Sequence, residues 1–86
     1  MFTPEEIQAR VRRQPFVPLR IVTSAGQTFD IPHPELIMIG RRSVEVGSPS
    51  PENPTTFERV THVAIMHINT IEELPLPAAP AGNGQQ

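Results

Sequence analysis

The chain has 86 residues, enough for one small domain that buries a modest fraction of its surface. It contains no cysteine, which excludes disulfides and thiolate zinc sites and makes self-association the expected stabiliser. The formal net charge is −2, whereas a protein that holds nucleic acid by phosphate neutralisation alone is normally basic.

The charge is unevenly placed. Six arginines stand against five acids in residues 1–47, and Arg59 stands alone against Glu52, Glu58, Glu72 and Glu73 in residues 48–86. The start, Met1-Phe2-Thr3-Pro4-Glu5-Glu6, is acidic where a secretory leader would be positive. No apolar run approaches the roughly 20 residues of a membrane span. The expectation is a cytoplasmic protein with no membrane partner.

A first helix is expected from Pro4. Thr3 suits the N-cap, Pro4 the first helical position, and Glu6 the third position of a capping box. Phe2 and Ile7 have the spacing of a hydrophobic staple, and Ile7 with Val11 forms a narrow stripe suited to lying on a sheet. Glu5 and Glu6 favour the positive end of the helix dipole, Arg12 and Arg13 the negative end, and Pro15 stops the helix.

Leu19-Arg20-Ile21-Val22-Thr23 and Thr28-Phe29-Asp30-Ile31 alternate as strands around a tight turn at Ser24-Ala25-Gly26-Gln27. Pro32 and Pro34 take the chain off the sheet or onto its edge. Leu36-Ile37-Met38-Ile39 is apolar on both faces and predicts a strand covered on both sides; Ser43-Val44-Glu45-Val46 alternates clearly. Gly47, Pro49, Pro51, Asn53 and Pro54 predict a loop over 47–56.

The valines, isoleucines and threonines of residues 57–74 favour a strand near 57–65, a bend at Met66-His67 and a last strand at 68–74. A helix over 60–68 is the competing reading, because Val60, Val63, Ala64 and His67 share a helical face. Residues 75–86 form a Pro/Ala/Gly/Gln tail with too little apolar surface to offset its ordering entropy. The sum is a mainly β domain over 1–74 with one N-terminal α-helix. A five-stranded antiparallel meander is expected to curl into a small SH3-like or Sm-like barrel, since closure removes edges.

The expected core is Ile7, Val11, Phe16, Leu19, Ile21, Phe29, Ile31, Ile37, Ile39, Val44, Val46, Val63, Ile65, Ile68 and Ile71. Gln14-Pro15-Phe16-x-Pro18-x-Arg20-Ile21, Gly26, Phe29-Asp30-Ile31-Pro32-His33-Pro34-Glu35 and Ile68-Asn69-Thr70-Ile71-Glu72 together resemble short proteins of GC-rich environmental bacteria such as planctomycetes. That resemblance spans residues 3–74 and implies a shared fold, with no site to transfer. His67-Ile68-Asn69-Thr70-Ile71 is similar to the last strand of the Sm-like bacterial RNA chaperone, where a histidine meets RNA. The chain departs from that pattern after Phe29-Asp30, where a second glycine is missing, and beside His67, where the basic partner is missing.

Candidate chemistry is sparse. His33 and Glu35 are two apart on an extended segment and could share a metal or a proton, but metal sites need about three converging ligands. Two flanking prolines also explain the segment as a corner whose imidazole bonds spare backbone groups. His62 and His67 are five apart, so neither a helix nor a strand puts them on one face. Arg41 and Arg42, with Arg10, Arg12 and Arg13, could form a phosphate patch or a solvated face diluted by Glu5, Glu6 and Glu45. Only four aromatics, all phenylalanine, are present to stack on bases. Pro15-Phe16-Val17-Pro18 and Pro77-Ala78-Ala79-Pro80 are short polyproline-type strings.

No cysteine, Gly-x-Ser-x-Gly motif or phosphate-cradling glycine loop is present, so neither catalysis nor a cofactor is expected. The sequence reads as a small interaction or assembly module that binds itself or a larger protein. The possible binding surface comprises Arg41, Arg42, His67, His33 and Glu35. The alternative is an Sm-like RNA-binding ring, which the net charge disfavours.

Overall fold

The computed structural model describes residues 1–53 and 55–74. Helix α1 spans Pro4–Val11 and begins as its sequence dictates. The Glu6 amide donates to Thr3 Oγ1 at 3.1 Å, and the Thr3 amide donates to Glu6 Oε1 at 2.9 Å. Ile7 is the helix's buried residue, and Phe2 and Val11 pack at the margin of the core it enters.

Six strands follow: β1 (Leu19–Thr23), β2 (Thr28–Ile31), β3 (Ile37–Ile39), β4 (Ser43–Pro49), β5 (Phe57–Ala64) and β6 (Ile68–Glu73). They form two three-stranded antiparallel sheets, ordered β2-β1-β6 and β3-β4-β5. The expected five-strand meander becomes six strands in two sheets, and among the described residues no strand pairing closes them into one barrel. The division has local causes. Pro32 and Pro34 interrupt the chain between β2 and β3, where a 3-10 turn, Pro34–Leu36, intervenes. A second 3-10 turn, Ile65–His67, separates β5 from β6 and supplies the expected bend, so the helical alternative for 60–68 falls. The sheets meet where the Ser24 amide of the β1–β2 turn donates to the His67 carbonyl at 2.8 Å. The Ile65 amide donates to the Arg42 carbonyl, also at 2.8 Å, and extends the β4–β5 ladder by one rung.

The alternation of β1 is the clearest link from sequence to packing. Leu19, Ile21 and Thr23 point into the core, with Arg20 and Val22 on the other face. Thr23 is a buried polar residue whose hydroxyl accepts from the Gln27 amide at 3.1 Å, which satisfies it across the turn. Gly26 holds φ +87° in that turn, a conformation that costs glycine little.

All fifteen expected core residues belong to the cluster or pack against it; Leu36 and Phe2 join them. Two strand expectations are corrected. Leu36 lies in the 3-10 turn, and Met38 is 68% exposed, so β3 is covered on one face only. Strand β4 continues through Gly47, Ser48 and Pro49, where a loop was expected. Pro49 is tolerated because it ends the strand, where the ladder is already irregular.

On the solvent face of the first sheet, Arg20 grips Asp30 with both ends of its guanidinium, Nε to Oδ1 at 2.7 Å and Nη2 to Oδ2 at 3.1 Å. This hydrogen bonding holds the Asp30 carboxyl below its ordinary 3.8. A lowered folded value means the pair's contribution is complete above 3.8 and is lost as pH falls through the folded value. Both groups are well exposed, so the effect is small. Asp30→Asn is therefore expected to melt slightly earlier than the parent at neutral pH and to converge with it in strong acid. Parallel thermal melts at the two pH values check this; a difference that widens on acidification would contradict it.

The tail over 75–86 and its Pro77–Pro80 string lie outside the described residues. No helix among the described residues is long and apolar enough to cross a membrane.

Candidate functional site

The second sheet carries the features that its packing leaves over. Along β4, Val44 and Val46 face the core, opposite Val63 and Thr61 of β5. The intervening residues, Glu45 and Gly47, therefore face outward opposite His62 and Val60. Met38 of β3 joins the same outer row beside Glu45. His62 Nδ1 pairs with the Glu45 carboxylate across the strands.

Glu58 is an extra residue in β5: Ser48 pairs with Arg59, while Pro49 pairs with Phe57. Such a bulge reverses the facing of whatever precedes it. Phe57 is thereby placed on the outer face, over Gly47, where a Cβ would come within 3.0 Å of its ring. Gly47 is buried beneath that ring, which explains a glycine in mid-strand. The outer face thus presents Met38 (68% exposed), Val60 (55%) and Phe57 (46%) around the Glu45–His62 pair. Beyond it, the outer edge of β5 has no strand partner among the described residues.

A cleft of about 340 Å³ lies where the β1–β2 turn meets the end of β5. It is lined by Ser24, Gln27, Thr61, His62 and His67, among others. The two histidines, separable by simple periodicity, share this cleft because the 3-10 turn at 65–67 swings His67 back toward β5. No strand or helix spacing reports such a turn; the only hint was the bend expected at Met66-His67. Among the described residues no group of three His, Cys, Asp or Glu side chains is placed to hold a metal ion.

The remaining candidates are scattered. Arg41 and Arg42 are exposed in the turn between β3 and β4. Arg41 borders a groove shared with Glu5 of α1, so an acid stands in the same groove as this arginine. Arg42 is tied through its carbonyl to the turn that ends in His67. His33 and Glu35 are exposed at the Pro34–Leu36 turn, away from the cleft lining. The His33 imidazole makes no capping bond there; its carbonyl accepts the Leu36 amide at 3.1 Å. That backbone bond closes the corner in place of the expected imidazole bond.

No known protein family, curated protein or solved structure matches this chain.

Proposed function

We propose that the protein is a small, non-catalytic interaction module that associates through the outer side of its second sheet, with itself as the first partner. The observation that carries this reading is the outer face, where Met38, Phe57 and Val60 stand exposed next to a strand edge that has no partner among the described residues. Isolated exposed apolar residues are ordinary, but three on one sheet face beside an unpaired edge mark a contact surface. The small core supports the same conclusion. Eleven buried apolar residues among the described ones, without disulfide or thiolate metal site, leave a domain that gains from sharing surface. The two sheets are read as halves of a small, partly open barrel of the SH3-like or Sm-like kind, linked through the loop bond from Ser24 to His67.

Sedimentation equilibrium of the purified chain tests the proposal. The expected mass is a multiple of the 9.5 kDa chain, falling on dilution. A single 9.5 kDa species at all concentrations would refute it.

One observation favours the Sm-like RNA-binding reading: the backbone bond between Arg42 and Ile65 draws the Arg41-Arg42 turn toward the turn carrying His67. Glu5 beside Arg41 and the overall negative charge weigh against it. Filter binding of short RNA at two salt concentrations separates the readings, since phosphate contacts impose a steep salt dependence.

A further inference from the structure

We infer that two copies pair antiparallel along the open edges of β5, with Val60 on the twofold axis, to make one continuous six-stranded sheet. The inference rests on the self-association proposed above and specifies its surface and register.

Of the four outer strands, β5 is the one with an edge to offer. β3 has three residues, and β2 has four, followed directly by Pro32. β6 ends in Glu72 and Glu73, with Glu73 bound to Arg13 at 2.9 Å. β5 has eight residues and contains no proline or lysine, the usual guards of an exposed edge. Its guards are all at one end, the charges of Glu58 and Arg59 and the bulge at Glu58, which diverts Phe57 and ends the straight edge there.

Side-chain complementarity then chooses the register. A twofold axis perpendicular to the sheet keeps each face continuous, so a residue must lie on it opposite its own copy. An axis at Glu58 or Arg59 would set like charges against each other. An axis at Thr61 would put Val60 opposite a second copy's His62, and Arg59 opposite its inward-facing Val63. An axis at Val60 sets valine against valine, Arg59 against threonine, and Glu58 against His62 twice over. Glu58, Val60 and His62 share the outer face, so these opposed pairs lie on one surface. The paired stretch would run from Glu58 to His62, stopping where the bulge stops it.

Val60→Lys and Val60→Glu test this directly, because residue 60 is half-exposed and a charge there should leave each monomer folded. Sedimentation of the full chain and circular dichroism are the measurements. Each variant alone should associate about 100-fold more weakly than the parent, since two like charges meet at the axis. An equimolar mixture of the two should restore the dimer, as a lysine then faces a glutamate. Variants that dissociate separately but fail to pair when mixed would overturn the register. A parent that associates while both variants associate equally well would place the interface elsewhere, overturning this inference and leaving the proposed function standing. A parent that never associates would overturn both.

Discussion

Ile21→Ala should remove most of the stability of the fold. Ile21 has no exposed surface and sits in the middle of β1, the central strand of the first sheet, between Phe29 and Ile71. Truncation deletes buried methyl groups and leaves a cavity that two paired neighbours cannot close, a loss of about 2–5 kcal/mol. A domain of this size holds on the order of 5 kcal/mol in total. The variant should thus unfold near the start of a urea titration. Val22→Ala, one residue along and on the opposite, half-exposed face, should shift the midpoint far less. Equal shifts for the two would mean that β1 does not present alternate residues to the core.

Ile7→Ala should have the next largest effect and a different signature. Ile7 is the buried residue of an eight-residue helix, and it is completely enclosed. A helix that short does not persist in water on its own, so its helicity depends on this contact. Losing it should cost about 2–4 kcal/mol and melt the helix ahead of the sheets. Thr3→Ala removes one side of the capping box and should cost about 1 kcal/mol without uncoupling helix from sheet. Far-ultraviolet circular dichroism during thermal melting distinguishes them. Ile7→Ala should lose helical signal before β signal, whereas Thr3→Ala should melt in one step. A single, unshifted transition for Ile7→Ala would show that the helix is held by other contacts.

The legible parts of this fold are those written in local chemistry. Thr3, Pro4 and Glu6 specify a helix start within four residues, and the alternation of Leu19, Ile21 and Thr23 specifies a face. Those signals act over one turn or one strand. The division into two sheets is only half legible: Pro32, Pro34 and the bend at Met66-His67 mark where the chain breaks, but not the direction in which the Pro34–Leu36 and Ile65–His67 turns send the next strand.

The extended β4 was hidden for a related reason. Gly47 and Pro49 look like loop residues until Phe57, ten positions past Gly47, is known to cover the glycine. The candidate surface was correspondingly hard to read. His67 was visible as a polar residue at a bend, but its shared cleft with His62 required tertiary placement. The outer row of Met38, Val60 and Phe57 was invisible, because which residues share a face stays undecided until the strand pairing is fixed and the bulge at Glu58 is seen.

The most direct measurement is the melting temperature of the parent chain across a hundredfold range of protein concentration. If the folded state is held together partly by a second copy, mass action must raise that temperature as concentration rises. A rise is the expected result. A melting temperature that stays constant over the whole range would mean that each chain is stable alone, and the shared-surface explanation would be wrong.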